Sequence, residues 1–315
     1  MSRHWRGTAG PLRTTGSTST TSGAILDGDG GGSRGRRSWR PTPFVAASAA
    51  LHPLLALLLA WQWHWWPVLL AVLVADHAAI AAQSLWPRSR LLGTNLARLP
   101  AAAAARDEIA ITIDDGPDPE VTPAVLALLT RHGAKATFFC IGERAAQHPA
   151  LCRAIVAAGH AIENHGQQHR HDAPLLGLAG WRREVGDAQR ELTAITGRAP
   201  QFFRAMAGLR NPWLDPALHG LGLTLASWTR RGFDTRSADP DRVLARLLDG
   251  LSAGDILLLH DGHAARTGGG EPVILAVLPR LLGALAARGL TPVTLACACD
   301  PDRNRSGAEP HRPHL

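Results

Sequence analysis

Between residues 107 and 296, seven short apolar runs are separated, for the most part, by longer amphipathic stretches, and no other feature narrows the choice of fold as much. The short runs, at 109–113, 136–139, 160–163, 201–204, 224–228, 256–259 and 292–295, have the length of buried strands. The stretches at 123–131, 144–158, 181–196, 240–251 and 273–287 carry apolar residues at helical spacing. Strands alternating with helices of this size form parallel sheets, open or closed into a barrel. The fold class is therefore α/β, with any active site expected where the strands end. No internal repeat accompanies the alternation.

The chain before this region has a different chemistry. Residues 1–42 are rich in Ser, Thr, Gly and Arg and cannot bury enough apolar surface to offset chain entropy, so a disordered basic arm is expected. Residues 43–87 hold two apolar runs of about 20 residues, the length that crosses a bilayer. They meet at Trp61-Gln62-Trp63-His64-Trp65-Trp66-Pro67, the kind of aromatic cluster found at membrane interfaces. A helical hairpin turning at the tryptophans is expected. The alternative is one spanning helix beside a buried or interfacial one, because Asp76 and His77 are costly in lipid unless paired. Arginines flank the pair on both sides (Arg34, Arg36, Arg37 and Arg40 before; Arg88, Arg90 and Arg98 after). By the positive-inside tendency a hairpin leaves both ends, with the main domain, in the cytoplasm, whereas a single span puts the domain outside. The expected location is the cytoplasmic membrane of a bacterium. Residues 88–106, with Ala101–Ala105, read as a linker, and 297–315 as a C-terminal tail.

The net charge of +7 is unevenly placed. Residues 1–106 carry eleven arginines against Asp27, Asp29 and Asp76, giving +8, so the remainder carries −1. A nucleic-acid binder would concentrate basic charge on its folded domain, so nucleic acid is not an expected partner. Cys140, Cys152, Cys297 and Cys299 lack metal-knuckle spacing and read as small apolar residues, the last two on a terminal strand.

Polar residues collect where the strands are expected to end. The first runs into Asp114-Asp115-Gly116-Pro117, where one carboxylate can bind a metal while its neighbour faces a reacting water. The third leads into His165-Gly166-Gln167-Gln168-His169, two histidines spaced to share a divalent ion on one helical turn. Arg204, Asp234 and His260 follow later strands. His160 and His171 read as structural or exposed, and Asp261 as a turn residue or a partner. Singly each feature is ordinary; in series, each after an apolar strand, they are not.

The series resembles the NodB-type polysaccharide deacetylases, carbohydrate esterase family four, over about residues 107–296. Thr112-Ile113-Asp114-Asp115-Gly116-Pro117 resembles the family's T-F-D-D-G-P, and His165–His169 its H-S/T-x-x-H. Arg204-Ala205-Met206-Ala207-Gly208 is similar to R-P-P-Y/F-G, Trp228 with Asp234 to the fourth motif, and Leu258-Leu259-His260 to the closing L-x-H. The resemblance implies a distorted (β/α) barrel and a hydrolase that removes an acyl group, usually N-acetyl, from a polysaccharide, oligosaccharide or lipid-linked sugar. It implies Asp115, His165 and His169 as ligands of a divalent metal, with Zn²⁺ suited to that donor set and Co²⁺ or Ni²⁺ compatible. It makes Asp114 the general base, oriented by Arg204, and His260 the general acid, held by Asp234. A backbone N–H near Ala207 would face the oxyanion.

Three positions depart from the family pattern. Gly166 stands where a Ser or Thr hydroxyl would brace the histidine loop. Ala205-Met206-Ala207 replaces two prolines and an aromatic, and Thr235 replaces a tryptophan, which implies a wider, less aromatic groove. The competing readings are a membrane-anchored barrel that only binds a glycan or partner, and a deformylase or amidase using the same groups.

Overall fold

The computed structural model of the chain describes residues 38–306. Most of the expected basic arm and the end of the expected tail lie outside the described residues. Helix α1 (Pro43–Trp61) starts with Pro43 in its first turn and Thr42 as cap, its hydroxyl accepting from the N–H of Val45 at 3.2 Å. A single 3₁₀ turn, Trp63–Trp65, reverses the chain into α2 (Trp66–Leu85). Both helices are long and apolar enough to cross a membrane and are scarcely buried within the protein.

Residues 88–106, expected to be a linker, are packed against the domain, which corrects that reading. Leu92, Leu99 and Ala103, the last on α3 (Ala101–Ala104), are buried. Leu96 bridges Ala226, and Arg98 pairs with the buried Asp255 at 2.7 Å. The segment is retained by its apolar residues and by hydrogen bonds to strand edges.

The domain then follows the expected alternation. In order come β1 (Glu108–Asp114), α4 (Thr122–Arg131), β2 (Ala136–Cys140), α5 (Gly142–Gln147), α6 (Pro149–Ala157), β3 (Ala161–Asn164) and α7 (Leu178–Thr196). They are followed by β4 (Phe202–Phe203), α8 (Leu214–Leu221), β5 (Thr224–Leu225), β6 (Arg230–Arg231), α9 (Pro240–Leu248) and β7 (Ile256–His260). The last elements are α10 (Val273–Ala286), β8 (Thr291–Pro292), α11 (Leu295–Ala298) and α12 (Pro301–Ser306). The strands are parallel in the order β5-β4-β3-β2-β1-β7-β6, with β8 added beside β1, a curled and incomplete barrel.

Three local expectations are corrected. The stretch 144–158 is two helices: Pro149 lacks an N–H and disfavours helical angles at His148, which ends α5 (φ −128°, ψ 54°), and Pro149 then opens α6. The run 292–295 ends as a strand at Pro292, because the Thr294 hydroxyl caps the N–H of Cys297 and starts α11; Cys297 and Cys299 lie in and after that helix. Histidines 165 and 169 sit on an irregular loop, not on a helical turn, because Gly166 (φ 86°) and His169 (φ 53°) take left-handed angles.

Strand alternation sorts the barrel. Ile109, Ile111 and Ile113 face outward into the layer shared with α4, α6, α9 and α10. Ala110, Phe139, Phe202, Trp228, Ile256 and Leu258 fill the opposite, inner side. Thr112 and Asp114 alternate with the isoleucines and so point to that inner side, at the end where the strands finish.

Candidate active site

Register places the chemistry at one level. Asp114 is the β-partner of His260 on one side and Phe139 on the other, while Asn164 pairs with Phe203. The residues just beyond those ends, Asp115, His165 and Arg204, emerge together. Asp115 has φ 73°, a left-handed angle that Asp tolerates better than most residues. That turn lets two consecutive carboxylates face one cavity, where a continuing strand would send them to opposite faces.

Arg204 is completely buried and donates four hydrogen bonds: Nη1 to Thr112 Oγ1 (2.6 Å) and Asp114 Oδ1 (2.7 Å), Nε to the Ala226 carbonyl (3.2 Å), Nη2 to the Ser227 carbonyl (3.0 Å). Its guanidinium lies over the Phe139 ring at 4.1 Å. Asp114 is thereby held through Oδ1, and its Oδ2 lies 3.9 Å from His165 Nε2.

His165 Nε2 and His169 Nε2 both approach Asp115 Oδ1, at 3.1 and 3.0 Å. The ligand atoms of Asp115, His165 and His169 all lie within 4.8 Å of one another. His165 Nδ1 donates to the Arg204 carbonyl at 2.9 Å, so the neutral ring has its lone pair on Nε2, as in a metal-ligating histidine, and the imidazolium donates to Asp115 from Nε2. Burial disfavours ionisation of Asp115, but hydrogen bonds from His165, His169 and His263 outweigh it and hold the carboxyl well below its usual range. At His165 burial opposes the imidazolium, and Asp114 and Asp115 outweigh it and raise its pKa. The field there favours positive charge, and the donor set fits a divalent cation.

On the other wall, His260 Nδ1 donates to Asp234 Oδ1 at 2.8 Å, while the His260 backbone N–H donates to Asp234 Oδ2 at 2.7 Å. Burial pushes the imidazolium down, yet the Asp234 carboxylate outweighs it and raises the pKa to about 9. His260 is therefore protonated at neutral pH.

Asp114, Asp115, His165, His169 and His260 line a cavity of about 260 Å³ together with Met206, Ala207, Thr235, Trp228 and Arg231. Ala207 holds φ 52°. His171, read from sequence as structural or exposed, also lines the cavity, whereas His160 is buried away from it and accepts from the Ala136 N–H through Nδ1. Gly166 does not leave the histidine loop unbraced. Its N–H donates to Asn164 Oδ1 (2.9 Å), and the Gln168 N–H donates to Glu184 Oε1 (2.8 Å), which occupies the space a side chain at 166 would need.

Sequence reasoning did not single out Glu184 or His263. His263 Nδ1 lies 3.3 Å from Asp115 Oδ2 and its Nε2 3.0 Å from Arg144. Its only signal is a second histidine three residues after His260. Asp261 proves to be a partner: it is buried, accepts from the Thr122 hydroxyl and the Gly262 N–H, and rises to about 7 through burial. A Cβ at Gly116 would lie 2.5 Å from Asp261 Oδ1, so the turn after Asp115 requires glycine.

The sequence model of the family described as polysaccharide deacetylase matches residues 101–226. A chitooligosaccharide deacetylase of Azorhizobium caulinodans is 37% identical over 193 residues, 58% of this chain and 90% of that protein. The chain belongs to the polysaccharide deacetylase family. This deacetylase also matches a crystal structure of a peptidoglycan N-acetylglucosamine deacetylase at TM-score 0.58 and 27% identity, covering 65% of this chain and 92% of that one. A family-four pseudoenzyme from Bacillus anthracis matches at TM-score 0.58 and 20% identity, over 65% and 69% of the two chains. That last likeness concerns the fold alone.

Proposed function

We propose that the protein is a metal-dependent deacetylase that removes N-acetyl groups from N-acetylglucosamine-containing oligosaccharides or lipid-linked sugars at a membrane. The observation that carries the reading is the convergence of Asp115, His165 and His169, flanked by the Arg204–Asp114 and Asp234–His260 pairs. The chitooligosaccharide and peptidoglycan relatives support the sugar.

Asp115, His165 and His169 would hold the ion, Zn²⁺ by its taste for imidazole and carboxylate, with Co²⁺ or Ni²⁺ accepted by the same donors. When bound it supplies Lewis-acid polarisation of the acyl carbonyl and a water of lowered pKa. Asp114, fixed through Oδ1 by Arg204, accepts the proton of the attacking water on Oδ2. Protonated His260 donates to the sugar nitrogen as the carbon–nitrogen bond breaks, so that an amine leaves in place of an amide anion. Asp234 keeps that proton on His260 until it is needed. The N–H at Ala207 is the group assigned to the oxyanion.

The exposed Leu57, Trp61, Trp63, Val74 and Leu85 of the two helices favour insertion in a bilayer. Arginines flank both open ends of the hairpin, so the catalytic domain is assigned to the cytoplasmic face.

Full-length protein reconstituted with Zn²⁺ is expected to release acetate from chito-oligosaccharides. Asp114→Asn should lower that rate by about 10²–10⁴ with metal content unchanged, and Asp115→Asn should lose the metal. Bound metal without acetate release from any acetylated sugar would favour the glycan-binding alternative and overturn the assignment.

A further inference from the structure

Within the hairpin, residues 43–86 contain four ionisable side chains, His52, His64, Asp76 and His77. Three of them meet. One ligand atom from each of His52, Asp76 and His77 lies within 4.8 Å of the other two, and the Asp115 cluster is the only other such group among the described residues. His52 comes from α1 and the other two from α2, so the contact joins the helices near their midpoints.

His52 Nδ1 donates to the Ser48 carbonyl at 2.7 Å, and His77 Nδ1 donates to the Leu73 carbonyl at 2.9 Å. A carbonyl only accepts, so each neutral ring carries its proton on Nδ1 and its lone pair on Nε2. Metal-ligating histidines are fixed in this way, by a hydrogen bond from the nitrogen that does not ligate. Asp76 Oδ2 accepts from the Ser48 hydroxyl at 2.8 Å, which leaves Oδ1. The two rings meet edge to face, with centroids 5.2 Å apart. One nitrogen of each imidazole and one carboxylate oxygen thus converge, while Nε2 of both rings and Oδ1 of Asp76 take no part in these hydrogen bonds.

We propose that His52, Asp76 and His77 bind a second divalent transition-metal ion of the Zn²⁺ class, which clamps the two hairpin helices together. Chemistry favours an ion over a bare cluster. A lone aspartate in the middle of an apolar hairpin is costly to place in lipid, and a divalent cation removes that negative charge. Donors around a tetrahedral ion with bonds of about 2.0–2.1 Å sit closer together than 4.8 Å, so small side-chain rotations suffice to complete the site. Two nitrogen donors with one oxygen donor select Zn²⁺, Co²⁺ or Ni²⁺ over Mg²⁺ or Ca²⁺. This site does not depend on the deacetylase reading.

The test counts metal in the full chain, held in detergent micelles, stripped with chelator and re-equilibrated with Zn²⁺. Two equivalents are expected for the wild type and one for Asp115→Asn, whose hairpin is intact. The double variant His52→Gln/His77→Gln is expected to retain one equivalent and to release acetate from soluble chito-oligosaccharides within about twofold of wild type, since the sites are far apart in sequence and share no partners. Addition of Zn²⁺ should raise the melting temperature of Asp115→Asn but not of the variant carrying all three changes. Asp115→Asn that binds no Zn²⁺ overturns the proposal without recourse to any hairpin variant. A hairpin that binds its equivalent in a protein releasing no acetate supports this site and counts against the deacetylase reading alone.

Discussion

The His260 side chain is nearly enclosed, and the Asp234 carboxylate beneath it, helped by Asp114 and Asp115, keeps the ring charged. The folded pKa, raised from 6.5 to about 9, gives the sign of the pH dependence. The pair's contribution to stability is complete below 6.5 and is lost as pH rises through 9, and the proton available for the leaving amine disappears over the same limb. A bound cation nearby moves the limb toward lower pH. Asp234→Asn should move it further in the same direction and depress kcat most at pH 8; an unmoved alkaline limb in kcat/KM would remove Asp234 from the proposed machinery. Gly166 offers a test in the opposite sense. Restoring the family's serine there forces a left-handed angle on an L-residue and drives its Cβ to 2.8 Å from Glu184 Oε1. Gly166→Ser should therefore lower stability by about 1–3 kcal/mol and weaken metal affinity, read by thermal melting and metal titration. Glu184→Ala in that background should recover only the part due to the contact. The groups assigned to chemistry were legible in sequence because each follows a strand end in a recognisable order. Glu184, His263 and the Thr122–Asp261 pair were not, because loop angles at Gly166, His263 and Asp115 bring them in and leave no periodic trace.

At the scale of elements, the strands that carry long apolar runs were the ones legible in advance. β1, β2 and β7 are buried along their whole length and differ from expectation by no more than one residue at either end. β6 is only Arg230–Arg231, two charged residues paired to Leu257 and Leu258, and no hydrophobic pattern could announce it. α8 has Pro216 and Gly220 within eight residues, which hides its helical character. The join of β3 to β4 depends on a group that looks wrong for a barrel wall. Glu163 is buried, and its Oε2 accepts from the N–H groups of Gln201 and Phe202, both at 2.7 Å. Burial outweighs those bonds and lifts its pKa from 4.5 to about 8. The folded state thus retains a proton that the unfolded chain loses, and stability should fall as pH rises from 4.5 through 8. Glu163→Gln keeps an acceptor for both N–H groups and lacks the titration. Denaturant unfolding at pH 5, 7 and 9 should show the variant overtaking the wild type at the alkaline end by a few kcal/mol, because each pH unit between the unfolded and folded pKa is worth about 1.4 kcal/mol. Parallel curves for the two proteins would mean that Glu163 ionises without penalty.

At the scale of the molecule, the boundary between hairpin and catalytic domain lies earlier than the alternation of strands and helices suggests. From Trp39 onward the described residues form one compact unit. The Pro87 carbonyl accepts from Asn95 Nδ2 (2.8 Å) and Ser227 Oγ (2.6 Å), and the Ser89 carbonyl accepts from Arg210. Pro87 also packs so closely on Gly208 that a Cβ there would lie 2.7 Å from it. Leu96 N–H donates to the Leu225 carbonyl and the Ser227 N–H to the Leu96 carbonyl, at 2.8 and 2.9 Å, so this segment pairs along the outer edge of β5 where the barrel is open. Polar, proline-containing sequence without a strand period carries no sign of this, which is why the segment reads as a linker. The hairpin, in contrast, is tied to the domain by few bonds, among them Trp39 Nε1 to Asp215 Oδ2 at 2.7 Å. A chain begun at Pro87 should therefore be soluble and should deacetylate soluble chito-oligosaccharides at a rate within a few-fold of the full protein. A chain begun at Asp107 removes the buried Leu92 and Leu99, each worth roughly 1.5–3 kcal/mol, and the Arg98 partner of Asp255. It should aggregate or melt far below the longer form. Equal solubility and equal acetate release from the two truncations would return residues 87–106 to the role of a tether.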